Sequence, residues 1–175
     1  MQRFRRHDTS GVQVSDANTG VIGVLFVCTG NICRSPMAEG IFRHYVEQAG
    51  LSGRIKTDSA GTGAWNVGEP PHPGVMAILA ERGIRYTHRA RIVRLDDFAH
   101  FNYIVAAERT HLETLRRMVG SSLVHLSLLL DYAPDLGLRD VPDPYYNGRF
   151  REVHDMIDRA CRGLLDHIIR VERLL

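Results

Sequence analysis

Eight residues from Val21 to Cys28, VIGVLFVC, form an apolar run rich in β-branched side chains, and the chain then breaks at once into Thr29-Gly30-Asn31. The run is far too short for a membrane span and has the length and composition of a strand buried on both faces. Past the break, Met37, Ile41, Phe42 and Tyr45 recur at helical spacing up to Gly50, and Pro36 suits a first helical turn, which places a helix over residues 36–49. A strand covered on both faces needs a crossover helix, so strand, tight loop and helix together open a parallel α/β unit.

The same alternation continues. Strands are expected at Ile55–Ser59, Tyr103–Ala107 and Val124–Leu128. Helices are expected over residues 73–82 and 108–118, with a helical turn near Leu95–Ala99. A final helix over residues 150–174 carries Val153, Met156, Ile157, Ala160, Leu164, Ile168 and Val171 on one face. Two long segments, residues 60–73 and the stretch from Leu128 to Asn147, lack periodicity, and loops of that length usually have a function. The pattern predicts an α/β fold, a three-layer sandwich with a four-stranded parallel sheet and helices on both faces. In such sheets the site lies at the carboxyl ends of the strands, where Cys28 falls. Length argues for one domain over residues 21–175. Residues 1–20 read as a flexible N-terminal extension, or as a basic arm carrying Arg3, Arg5 and Arg6.

The loop itself, C-x5-R-S from Cys28 to Ser35, fits one chemical problem. A thiolate that attacks a phosphate monoester meets an anion, so the surroundings must be positive without competing as nucleophiles. Convergent N–H groups of a strand-to-helix turn form an anion nest, and the helix presents its positive dipole end. Gly30 and Asn31 tolerate a left-handed backbone. Arg34 offers a planar fork for two phosphoryl oxygens. A lone cysteine is more often an inert core thiol; at the end of a strand, before an anion nest, Cys28 reads as a nucleophile held as thiolate. Ser35 can cap the helix, donate to the Cys28 sulfur, or do both.

Composition narrows the classes. Charged residues at 24% and hydrophobic residues at 44% are those of a soluble globule, and a net charge of +2 without a basic, aromatic-interleaved run disfavours nucleic-acid binding. Three cysteines cannot build a disulfide framework and suit a reducing cytoplasm. Nine histidines without an H-x3-H pair argue against a zinc site, and no metal or other cofactor is expected. A nucleotide-binding G-x4-G-K-[ST] loop is excluded, since the only lysine is Lys56.

With these residues in place, the chain resembles the low-molecular-weight protein tyrosine phosphatases. The resemblance rests on C-x5-R-S near the N-terminus, Thr57–Thr62 and Trp65–Pro70, His88-Arg89-Ala90-Arg91, and Val141-Pro142-Asp143-Pro144-Tyr145-Tyr146, in the family's order. It implies strand order 2-1-3-4 and a phosphotyrosine hydrolase working through a phosphocysteine on Cys28. Arg34 and the loop residues Thr29, Gly30, Asn31, Ile32, Cys33 and Ser35 would bind phosphate, and Asp143 would be general acid and base. Ser59 and His88 would support a strained Asn31. Trp65, Tyr145 and Tyr146 would wall a slot deep enough to select an aryl phosphate. Ile32 should point into that slot; the related arginine phosphatases carry a threonine there, so isoleucine favours an aromatic phosphoester. Partners implied are phosphotyrosine proteins and a cognate tyrosine kinase, with no nucleic acid and no membrane.

Cys33 is either a packing residue or a thiol that captures oxidised Cys28 as a disulfide. Cys161 falls on the apolar stripe of the last helix. Ala106-Ala107-Glu108-Arg109 departs from a methionine-aspartate pair common in the family, at a place expected to lie off the catalytic loops. Two alternatives share the residues: an arsenate reductase, which would need further cysteines beyond Cys161, and a phosphotyrosine-binding module without turnover, which would need a damaged Cys28 or Asp143.

Overall fold

The computed structural model describes residues 20–175; the proposed extension over residues 1–20 lies, but for its last residue, outside them. Four strands, β1 (Ile22–Cys28), β2 (Ile55–Gly61), β3 (Tyr103–Ala106) and β4 (His125–Leu128), form one parallel sheet in the order β2-β1-β3-β4. This is the order that the resemblance implied. β1 is central and buried along its whole length, which explains its unbroken apolar run. Its alternate side chains feed two cores. Ile22, Val24 and Phe26 pack under α1 (Arg34–Gln48), α2 (Pro73–Glu81) and α6 (Phe150–Glu172). Leu25 and Val27 face the other way, toward α3 (Asp97–His100) and α4 (Arg109–Met118), meeting Phe98, Leu112 and Leu115. Helices thus cover both faces.

Some boundaries moved. α1 begins at Arg34, two residues ahead of Pro36, so Ser35 lies inside the helix and the N-cap position falls to Cys33, which makes no side-chain capping bond. The loop's amides therefore run directly into the first helical turn. Val171 is exposed, because α6 ends at Glu172 and its last turn leaves the core. The second long loop contains two 3-10 turns, Leu129–Tyr132 and Pro134–Leu136, and a short helix α5 (Pro144–Asn147). No helix among the described residues is long and apolar enough to cross a membrane.

Candidate active site

β1 delivers Cys28 to the carboxyl edge of the sheet opposite Gly61, its register partner on β2. Thr62 N–H donates to Cys28 O and Gly63 N–H to Thr29 O, so the wall segment after β2 is stitched to the loop. A Cβ on Gly61 would lie 2.5 Å from Thr29 O, and glycine lets the two backbones approach. Asn31 has φ +59°, the left-handed conformation expected of it. Gly30 does not; a Cβ there would meet the end of the Asn66 side chain, with Oδ1 at 2.4 Å, and Asn66 would have to shift.

Asn31 is the hub beneath the loop. Its amide donates to Ser35 Oγ at 2.8 Å and Ser59 Oγ at 3.0 Å, and its carbonyl accepts from His88 Nε2 at 2.7 Å and Arg91 N at 3.0 Å. Burial lowers the His88 pKa, so the ring is the neutral Nε2–H form that an amide oxygen requires. Ser59 and His88 are thus both in contact with the Asn31 side chain. Behind them is a group that sequence reasoning missed. Glu39 is buried on α1 and accepts from Tyr86 Oη at 2.6 Å and Ser59 Oγ at 3.0 Å, and it pairs with Arg43. The helix period gave no signal: Glu39 is two residues from both Met37 and Ile41, so it points away from their stripe. Glu39, Asp58 and His88 lie close enough to consider a metal. Arg43 and Arg91 already provide the countercharge, Arg91 through Asp58 and Asp97.

On the open side, Cys28 Sγ lies 3.0 Å from Ser35 Oγ. Cys28, Thr29, Gly30, Ile32, Cys33 and Arg34 line a cavity of about 330 Å³ whose walls are Trp65, Asn66, Asp143, Tyr145 and Tyr146. Trp65 and Tyr146 are largely exposed, at 77% and 85%, so they form a rim and not a core. Burial, with Cys28 alongside, pushes the Cys33 thiol up to about 12. Cys161 is fully buried on α6, with its pKa raised by burial.

Arg34 is 3% exposed and fully engaged. It donates to Val141 O at 2.9 Å and to Thr29 Oγ1 at 3.3 Å, and it pairs with Asp143 at 3.4 Å and Glu108 at 3.4 Å. Asp143, set between Pro142 and Pro144, is the N-cap of α5 and accepts from Tyr145 N with Oδ1, leaving Oδ2 for Arg34. The β3–α4 turn was expected to lie off the catalytic loops; it does not. Val141 N–H donates to Ala107 O, and Arg109 holds Asp140 through its backbone N–H and its guanidinium. The turn therefore anchors the Asp143 loop while Glu108 reaches Arg34. His111, in the first turn of α4, was also missed. It is buried, with Nε2 2.8 Å from Thr29 Oγ1. A histidine beside core residues Leu112 and Leu115 reads as packing and carries no pattern that points to the loop.

A parallel sheet that carries a cysteine into a loop of amides, facing an arginine and a carboxylate, has the layout of a cysteine-dependent phosphatase. A profile of the low molecular weight phosphotyrosine protein phosphatase family matches residues 23–173. The chain is 48% identical over 156 residues to the low molecular weight protein-tyrosine-phosphatase YfkJ of Bacillus subtilis, covering 88% of this chain and all of that one. The crystal structure of YfkJ superimposes with a TM-score of 0.84 over 87% of this chain and 98% of that one. A Schizosaccharomyces pombe low molecular weight phosphotyrosine protein phosphatase is 46% identical over 73% of this chain and 83% of its own. A structure described as a Drosophila arginine phosphatase is 34% identical with a TM-score of 0.78, covering 82% and 96% of the two chains. This chain belongs to the low-molecular-weight protein tyrosine phosphatase family, and its class is hydrolase.

Proposed function

We propose that the protein hydrolyses phosphotyrosine in proteins by a two-step covalent path that residues 21–175 carry as one catalytic domain. The observation that carries the reading is the position of Cys28: at the floor of a slot, 3.0 Å from a serine hydroxyl, with Arg34 lining the same cavity. Cys28 attacks phosphorus in line with the phenolic oxygen. The loop amides and Arg34 hold the non-bridging oxygens, and Asp143 protonates the departing phenolate. Asp143 then takes a proton from water, which attacks the phosphocysteine and releases phosphate and the Cys28 thiolate. Ser35 Oγ donates to that sulfur and makes it a better leaving group.

Substrate class follows from the walls. The exposed rings of Trp65, Tyr145 and Tyr146 suit stacking on a phosphoaryl group whose phosphate must reach the cavity floor, beyond the reach of phosphoserine. Ile32 lines that cavity, which supports an aromatic ester over phosphoarginine, despite the likeness to an arginine phosphatase. A reduced, cytoplasmic setting is supported by three free cysteines, one of them the nucleophile. There the enzyme would oppose a cognate tyrosine kinase. The test is turnover of phosphotyrosine, phosphoarginine and phosphoserine peptides in EDTA by the wild type and Cys28→Ser. Phosphotyrosine should be preferred, and Cys28→Ser should bind inorganic phosphate without turnover. Residual Cys28→Ser activity within about tenfold of wild type, only ~1.4 kcal/mol in barrier, refutes the nucleophile.

A further inference from the structure

His111 touches neither Cys28 nor Asp143, yet its surroundings fix its tautomer. Nε2 lies 2.8 Å from Thr29 Oγ1 and 3.4 Å from the Glu108 carboxylate, whereas the buried Nδ1 has no hydrogen-bond partner among the described residues. A proton on Nδ1 would bury a donor without an acceptor and turn the Nε2 lone pair toward a carboxylate. A proton on Nε2 leaves only an unpaired lone pair inside, and directs the N–H at Thr29 with Glu108 alongside. The Nε2–H form is therefore the stable one. Burial and the Arg34 charge also push the ring pKa down to about 4, against the pull of Glu108, Asp143 and Asp140, so the ring is neutral at working pH.

That tautomer has a consequence for Thr29. Its hydroxyl oxygen has two lone pairs; it accepts from His111 Nε2 and from Arg34 Nη2 at 3.3 Å. Both are filled, so Thr29 must use its own proton as a donor elsewhere, and no further hydrogen-bond partner for it exists among the described residues. Thr29 lines the cavity with Cys28 and Arg34. We propose that His111 is a positioning residue of the reaction: by donating to Thr29 Oγ1 together with Arg34, it turns the Thr29 hydroxyl proton into the cavity, where it donates to a non-bridging oxygen of the phosphoryl group. This inference rests on the phosphatase reading of the site. It adds a side-chain donor that the loop amides and Arg34 do not supply.

The test is a double-mutant cycle on the full chain, with Thr29→Val, His111→Leu and the pair, plus His111→Gln and Thr29→Ser as conservative variants. Turnover of an aryl phosphate and competition by inorganic phosphate are both measured, with thermal unfolding as a control. Thr29→Val should lower kcat/KM roughly tenfold or more, the size of one hydrogen bond to a charged group, and weaken phosphate binding. His111→Leu should cost a similar factor in the wild-type background and less than about twofold in Thr29→Val, because histidine acts only through the threonine. His111→Gln, which can still donate, and Thr29→Ser, which keeps the hydroxyl, should recover to within about threefold of wild type. A histidine that merely packs α4 would cost as much with valine at position 29 as with threonine. That result overturns the proposal, as does a fully active Thr29→Val or a His111→Gln no better than His111→Leu. Should His111→Leu fail to fold, Thr29→Val against Thr29→Ser and His111→Gln still decide it. An inactive wild type would refute the phosphatase reading itself, and phosphate binding by Thr29→Val would then still test the hydroxyl.

Discussion

Asn31 offers a perturbation whose size follows from the structure. Its side chain is 1% exposed and makes four hydrogen bonds, to Ser35, Ser59, His88 and Arg91 N, while its backbone sits at φ +59°. Asn31→Ala removes all four, at about 1 kcal/mol net each, and places alanine in a left-handed conformation at about 1 kcal/mol more. The expected loss is about 4–5 kcal/mol, a large share of the 5–15 kcal/mol typical of a domain. Asn31→Gly loses the same bonds without the left-handed penalty, so it should be the more stable variant by about 1 kcal/mol. Both should lose kcat by tenfold or more, because the loop amides are no longer held to Arg91 and Ser59. Urea unfolding followed by circular dichroism is the appropriate assay, since Trp65, the only tryptophan, is largely exposed at the rim. Two outcomes would refute the reasoning. Equal stability of the alanine and glycine variants would mean that no backbone strain is stored at Asn31. A loss below about 1.5 kcal/mol in both would mean that the hydrogen bonds do not hold the loop.

Three further outcomes follow. Asp143→Asn should lower kcat by roughly 10²–10⁴-fold for aryl phosphates with poor leaving groups and much less for an activated one; equal losses would assign Asp143 only its cap of Tyr145 N. Peroxide should inactivate the wild type reversibly, as the Cys28 sulfenic acid and the Cys33 thiol condense to a disulfide with release of water and a reductant restores both thiols; recovery of Cys33→Ser as complete as wild type would return Cys33 to packing. The folded-state pKa of His111 is depressed from 6.5 to about 4, so its contribution is fully present above pH 6.5 and is lost as pH falls toward 4, by about 3 kcal/mol at most. His111→Gln should flatten that part of the stability profile measured by urea unfolding; a profile parallel to wild type would show that the ring does not resist protonation.

What the sequence made legible is what physics writes locally. β1 was readable because a strand buried on both faces must be apolar throughout, and α6 because its stripe repeats at 3.6 residues over six turns. The loop was readable because thiolate, arginine and serine are spaced by one tight turn. Glu108, His111 and Glu39 were not, for two different reasons. Glu108 and His111 reach the loop only through pairing in three dimensions: Val141 N to Ala107 O brings the Asp143 loop against the β3–α4 turn, 34 residues earlier in the chain. No local pattern encodes that contact. Glu39 points away from the Met37 and Ile41 stripe, and its burial comes from Ser59 on β2 and from Tyr86, which the helix period does not show. Gly30 shows a subtler failure. A left-handed backbone was expected there and is not found; what lies against the glycine is the Asn66 side chain, which comes from the other side of the slot and which no local pattern shows.

The two carboxylates around Arg34 explain how one buried guanidinium serves both an empty and a filled site. A charge 3% exposed is costly unless paired, and Glu108 and Asp143 pair it from opposite loops. A phosphate dianion that binds Arg34 would compete with them for the guanidinium, since like charges gathered on one cation repel. Glu108 is the harder to move. It stands at the N-cap of the ten-residue α4, where the helix dipole favours its charge, with His111 against it. Asp143 hangs between two prolines and is tethered by one N–H, at the start of a four-residue helix. Under the proposed function, Asp143 would therefore be the one to yield Arg34 to the substrate. On that reading, substrate binding would then be an exchange of partners at Arg34 that frees Asp143, made directional because Glu108 stays in place.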